Sequence, residues 1–303
     1  MTTLAVDIGG TKIAVARVST AGAVHGDVRS APTPAADGPA AVVATVLRLL
    51  RDLDAADVGA VGVSSAGVID PENGVVLSAT KSIADWAGTP LAEQLGAELH
   101  RPVYALGDGH AFALGEACYG AGRGADSLLV LAAGTGIGGS YVAGLEPLFG
   151  SHAAGGHFGH VSVPEAGGLL CDCGVRGHVE AVAGGAGMVR EYHRRGGGTS
   201  VTQARELFAR AATDAHALAA VRQGAAGLGT AAASLANAFD PTMVIVAGGL
   251  TRAGRPWAEH VEASFRASLM PGLAEMPLTI SDAGEWLALR GAAYYATRRE
   301  EGL

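Results

Sequence analysis

Residues 3–18 read TLAVDIGGTKIAVARV. An apolar run leads into Asp7-Ile8-Gly9-Gly10-Thr11-Lys12, and a second run with alternating apolar residues follows, the pattern of a strand, a tight turn and a strand. Adjacent glycines let backbone amides approach phosphate oxygens, Thr11 can donate its hydroxyl, and Asp7 is placed to hold magnesium through water. The same Gly-Gly pair also suits an ordinary hairpin turn, so the segment alone leaves both readings open.

The pattern returns at residues 127–144, SLLVLAAGTGIGGSYVAG, where Gly134-Thr135-Gly136-Ile137-Gly138-Gly139 separates two apolar runs. One Gly-rich turn is weak evidence. Two, each flanked by strands, are stronger, because phosphoryl transfer consists mostly of positioning and electrostatics that paired turns supply. A third apolar run, PTMVIVAGGL at 241–250, ends in Gly248-Gly249, either a close backbone approach to a ligand or a simple turn after a core strand.

Working outward, strands are expected at Val58–Val63 and Val103–Leu106, and helices at Pro39–Leu53, Pro90–Leu99, Glu180–Arg194, Thr202–Phe208 and Ala215–Phe239. Gly107-Asp108-Gly109-His110 stands where a strand passes into the helical AFALGEA, a position at which an aspartate ordinarily caps the helix.

Residues 155–185, GGHFGHVSVPEAGGLLCDCGVRGHVEAVAGG, gather His157, His160, His178, Cys171, Cys173 and Glu180. Tetrahedral zinc takes thiolate sulfur and imidazole nitrogen, and His160, Cys171, Cys173 and His178 supply two of each. C-x-C is tighter than the common finger spacing, and scattered surface polar residues are the alternative.

The chain has 303 residues, 49% hydrophobic and 17% charged, long enough to bury a sizeable core in two lobes. A formal net charge of -8 without a compensating basic run argues against a nucleic-acid surface. No apolar run approaches the roughly 18 residues of a membrane span, and no hydrophobic signal segment precedes the first strand. Three cysteines, of which Cys118 is left unpaired, fit a reducing cytoplasm.

The motifs carry a family resemblance. D-I-G-G-T-K resembles the first phosphate loop of the actin, sugar kinase and Hsp70 superfamily, and Gly134–Gly139 its second. G-H-F-G-H, a spacer, then C-D-C-G-V-R-G-H-V-E resembles the ROK family of sugar kinases and repressors, whose motif runs E-x-G-H, spacer, C-x-C-G-x-x-G-C-x-E. His178 stands where that family has its last cysteine. Ser64 to Gly74 is similar to the family's G-x-P-G-x-[VI]-D turn with Ala66 in place of proline. Gly107-Asp108-Gly109-His110 corresponds to N-D-A-N, and Leu289–Ala293 to a closing G-A-A helix. The chain starts on the first strand without a helix-turn-helix, which points away from the repressor branch.

The resemblance implies an α/β, two-lobed actin-like ATPase (ribonuclease H-like) fold with a zinc-stapled loop. Its small N-terminal lobe would span 1–110, closed by a helix at 287–303, and its larger lobe 111–286, with the zinc loop at 155–185. It further implies a homodimer and an ATP- and magnesium-dependent sugar kinase acting on a 6-hydroxyl, with Asp108 accepting the hydroxyl proton. Gly67, Ser82, Gly107, Asp108, His157, His160 and Glu180 would contact the sugar. Asp7, Gly9, Gly10, Thr11, Lys12, Thr135, Gly136, Gly248 and Gly249 would hold the nucleotide, with Asp7 reaching magnesium through water. Structural zinc would take His160, Cys171, Cys173 and His178. The G-H-x-G-H variant is similar to the branch acting on N-acetylmannosamine, which ranks that sugar first and glucose or another hexose second. The replaced asparagines leave a second class open, a sugar-binding sensor with little catalysis.

Overall fold

Thr2–Ile8 (β1) and Lys12–Ser19 (β2) form an antiparallel hairpin in register from Thr2↔Ser19 to Ile8↔Ile13. The computed structural model describes residues 2–51, 53, 58–281 and 286–302. Two units emerge, one of Met1–Gly124, Leu145–Gly155 and Gly284–Leu303, the other of Ala125–Gly144 and Gly156–Ala283.

In the first unit Val24–Pro32 (β3) adds antiparallel to β2, while Val58–Ser65 (β4) runs parallel to β1. The helices Gly38–Arg51 (α1) and Leu91–Leu99 (α2) flank a small hairpin of Val68–Ile69 (β5) and Val76–Ser78 (β6) in the chain. Val103–Gly107 (β7) then completes the sheet order β3-β2-β1-β4-β7. Period-two alternation divides its faces. Leu4, Val6, Ile8, Ile13, Val15, Val61 and Val63 bury with Val42, Val46 and Leu49 of α1 and Leu91 and Leu95 of α2. Ala5, Ala14 and Ala16 on the opposite face bury with Leu289 and Ala293 of Leu287–Glu300, a helix numbered α9 below. Small residues there let a helix lie close to the sheet. Asp108–Tyr119 (α3) follows β7 without a loop and belongs to this unit, so the expected boundary at 110 falls inside α3.

The second unit opens with the antiparallel pair Ser127–Ala133 (β8) and Ile137–Ala143 (β9). Glu146–Pro147 (β10) lies in the segment assigned to the first unit. Glu180–Ala183 (α4), Gly185–Arg194 (α5), Ala204–Arg210 (α6) and Ala215–Phe239 (α7) follow. Met243–Ala247 (β11) runs parallel to β8 and to Leu278–Ser281 (β12), with Arg255–Ser268 (α8) between β11 and β12 in sequence; α9 ends the set. Leu129, Leu131, Val244 and Val246 join the Ala-rich α7 and Trp257, Val261 and Phe265 of α8 in one core.

Several expected elements are corrected. The helix expected over Glu180–Arg194 is two, because Gly184 is extended at φ -64°, ψ 149°. The helix expected from Thr202 starts at Ala204, where the Gln203 and Glu206 side chains exchange bonds with the first turn. The strand expected to reach Leu250 stops at Ala247, since Gly248 takes φ 106° and a 3-10 turn over Gly249–Ala253 follows. The helix expected over Pro39–Leu53 is described as Gly38–Arg51, and residue 52 lies outside the described residues. The closing segment, expected from Leu278, begins as β12 before 282–285, which also lie outside them. β3, β5, β6, β10, β12 and α8 were not foreseen. No helix among the described residues is long and apolar enough to cross a membrane.

Candidate active site

In the first unit the edge-to-edge register of β1 and β4 sets Asp7 beside Ser64, whose hydroxyl donates to Asp7 Oδ1 at 2.7 Å. Burial is the main force raising the Asp7 pKa, opposed by that bond and by the Lys12 charge. Asp108 is the first residue of α3, with Gly107 in the cap position, so it is not serving as the cap. Its carboxylate is open to solvent, and its Oδ1 accepts the Gly109 amide at 2.7 Å. Surrounding protein and then the charge of Asp7 push its pKa up to about 6. A carboxylate poised there can take a proton near neutral pH.

Gly107 and His110 fit one another. A Cβ at Gly107 would stand 3.1 Å from His110 Nδ1, and the buried imidazole packs on Phe149 with ring centroids 4.8 Å apart. The imidazole therefore occupies the space beside position 107.

The Gly9 amide donates to the Lys12 carbonyl at 3.0 Å, which uses it to close the hairpin and leaves Gly10 and Thr11 at the tip. Lys12 Nζ lies 4.6 Å from the Trp286 ring centroid. Ser82 is exposed and packs against the turn, 3.0 Å from where a Gly10 Cβ would be. Gly67 takes φ 105° in the turn after β4. Buried Trp86 pins that turn through Nε1, 3.2 Å from Ser65 Oγ and 3.1 Å from the Ala66 carbonyl.

In the second unit the β8–β9 turn is held from below. Its Gly134 and Thr135 carbonyls accept the Gly185 and Ala186 amides of α5 at 2.9 and 3.1 Å, an arrangement the break at Gly184 permits. The Ile137 amide donates to Glu180 Oε2 at 2.9 Å. With the carbonyls engaged, the Thr135 and Gly136 amides are the donors the turn offers an anion. Gly248 lies where a Cβ would press on the Ala133 carbonyl at 2.6 Å, and Thr251 Oγ1 donates to its carbonyl.

The ligand atoms of His160, Cys171, Cys173 and His178 all lie within 4.8 Å of one another. Cys171 Sγ stands 3.8 Å from His160 Nδ1, and Cys173 Sγ 3.2 Å from His178 Nδ1. Cys171 is buried and Cys173 exposed. Burial holds the His160 pKa below its ordinary value, favouring the neutral, ligating form of the ring. Two sulfurs and two nitrogens at these separations fit a tetrahedral ion with bonds of about 2.0–2.3 Å after a small contraction. His157 lies alongside, its ring 6.3 Å from that of His160 and nearly parallel.

The profile of the ROK family matches residues 3–299. The chain is a member of the ROK family. This ROK protein is 31% identical to a glucokinase of Halalkalibacterium halodurans over 98% of its own length and 96% of that protein's. It is 32% identical to an N-acetylmannosamine kinase of Escherichia coli, covering 82% of this chain and 83% of the relative. Its fold matches a ROK family glucokinase from Streptomyces griseus, solved with glucose and AMPPNP, at a TM-score of 0.84 and 30% identity over 98% of this chain and 100% of that one. This ROK chain is an ATP-dependent carbohydrate kinase of a hexose or hexosamine, with the two-lobed α/β fold of that family.

Three features of this ROK kinase were not foreseen. Ser64 binds Asp7, Trp86 fixes the Gly67 turn, and Glu180 holds the Ile137 amide. Only the last carried a sequence signal, a glutamate two residues beyond a candidate metal ligand.

Proposed function

We propose that this kinase transfers the γ-phosphoryl group of ATP to the 6-hydroxyl of N-acetylmannosamine. The observation that carries the transfer chemistry is Asp108, a solvent-reachable carboxylate with a pKa of about 6 beside Asp7. Asp108 accepts the proton as the sugar oxygen bonds to the γ-phosphorus and ADP leaves with the former bridging oxygen. The Gly9–Lys12 turn, Thr135, Gly136, Gly248 and Gly249 receive the nucleotide through backbone amides and close approach. Gly67, Ser82, Gly107, His157, His160 and Glu180 shape the sugar side.

Asp7 keeps Oδ2 outside its bond with Ser64, so its carboxylate suits a water-linked magnesium, which supplies charge neutralisation for the phosphates. His160, Cys171, Cys173 and His178 hold structural zinc. The protein assembles as a homodimer.

What supports the choice of sugar is His157 at the position where the family's E-x-G-H motif has glutamate. An imidazole offers a donor as well as an acceptor, whereas a carboxylate only accepts, and a donor suits the acetamido carbonyl. Identity of 32% to an N-acetylmannosamine kinase agrees. Glucose is the second reading, favoured by the 31% identical glucokinase. A coupled assay of ADP release over N-acetylmannosamine, N-acetylglucosamine, glucose, mannose and fructose decides between them. The highest kcat/KM is expected for N-acetylmannosamine, and a higher value for glucose overturns that choice.

A further inference from the structure

Glu180 opens α4 two residues after His178, and its carboxylate joins two parts of the second unit. Oε2 accepts the Ile137 amide at 2.9 Å, while Oε1 lies 3.7 Å from Cys171 Sγ. Gly136 bears no side chain where a Cβ would collide with Oε2. Gly159, next to His160, likewise faces the Ile137 carbonyl and the Glu180 Cβ, the latter 3.4 Å from where its own Cβ would be. The Val179 amide donates to the Val161 carbonyl at 2.8 Å, stitching the two sides of the cluster together. The Gly134–Ile137 turn is thus suspended between the α5 amides on one side and a carboxylate rooted in the four-ligand cluster on the other.

We propose that Glu180 is a positioning residue for the nucleotide turn, through which the ion held by His160, Cys171, Cys173 and His178 sets nucleotide affinity as well as the sugar side. This rests on the reading above that the turn receives phosphate. With the ion in place, His178 and Cys171 are fixed and α4 begins at a fixed point. The carboxylate then locks Ile137 and, with it, the Thr135 and Gly136 amides. Loss of the ion leaves the 171–178 hairpin on its backbone bonds and the surface contacts Arg176–Gly168 and Arg190–Asp172, and the anchor of Ile137 becomes more mobile. A glutamate that only contacts sugar has a different signature, because nucleotide binding without sugar would then ignore both the ion and the carboxylate.

The test is calorimetric titration of AMPPNP without sugar into wild type, Glu180→Ala, Cys173→Ser and the double variant, with zinc content measured on each. Each single change is expected to weaken AMPPNP by about tenfold, and the double no further, since both cut one linkage. Glu180→Gln, which keeps an acceptor for the Ile137 amide, is expected to restore affinity. Chelation and zinc re-addition on wild type should lower and then recover it, which separates the effect from misfolding. Wild-type affinity in the zinc-depleted protein, or a double variant equal to the product of the singles, overturns the linkage alone. A wild type that binds no AMPPNP overturns the nucleotide reading and the linkage with it.

Discussion

Asp108 carries a thermodynamic tension. Its pKa of about 6 exceeds the ordinary 3.8, so proton binding favours the folded chain. That contribution is fully present below pH 3.8 and is lost as pH rises through about 6, which leaves a charged, disfavoured carboxylate at pH 8. Asp108→Asn is therefore expected to raise the melting temperature at pH 8 and to leave it unchanged near pH 4, as differential scanning calorimetry would read. The same substitution removes the proposed proton acceptor, and kcat should fall by about 10²–10⁴-fold with sugar affinity little altered. A melting gain that persists at pH 4 would mean that packing rather than charge is responsible. In wild type, kcat/KM should decline below pH about 6, the value at which Asp108 takes its proton. Sequence motifs located Asp108 and Asp7, but nothing in the sequence tells that Ser64 faces Asp7, because that pairing depends on the register of two strands 57 residues apart.

At the scale of elements, the 155–185 segment and α9 make opposite demands. The 155–185 segment has little apolar burial at its tip, where Leu170 and Val175 are exposed, so bonds to a proposed ion rather than core packing would hold it. Elemental analysis of protein purified without chelator is expected to find one zinc per chain, and Cys173→Ser to lose most of it; equal zinc in both would remove Cys173 from the ligand set. Its four clustered side chains were legible because spacing and ligand type survive without geometry. Glu180 was legible only in part, since its bond to Ile137 joins residues 43 apart in the chain and periodicity carries no trace of it. α9 depends on closeness instead. A Cβ at Gly291 would run into the Ala111 carbonyl of α3, so Gly291→Ala should destabilise the fold by about 1–3 kcal/mol or more in urea unfolding, with zinc content unchanged. An unaffected midpoint would mean that the two helices can separate freely.

For the whole molecule, the turns at Gly9–Lys12 and Gly134–Gly139 were legible between apolar strands, while the kinase reading came from their resemblance to family motifs. The division into units was less legible. Leu145–Gly155 returns to the first unit after β8 and β9 have begun the second, and a short chain reversal of this kind leaves no mark in hydropathy. The sugar was least legible, since Gly107 and His110 adapt to one another through a contact that neither residue announces alone.

The alanine face of the first sheet is covered by α9, a segment translated after the whole of the 156–281 stretch. Translation therefore completes that stretch while the sheet of β1 to β4 and β7 still shows Ala5, Ala14 and Ala16 to solvent or a chaperone. The first sheet is thus the part that finishes folding late, and a nascent chain stalled ahead of Leu287 should yield to protease in β1 and β2 before β8 and β11.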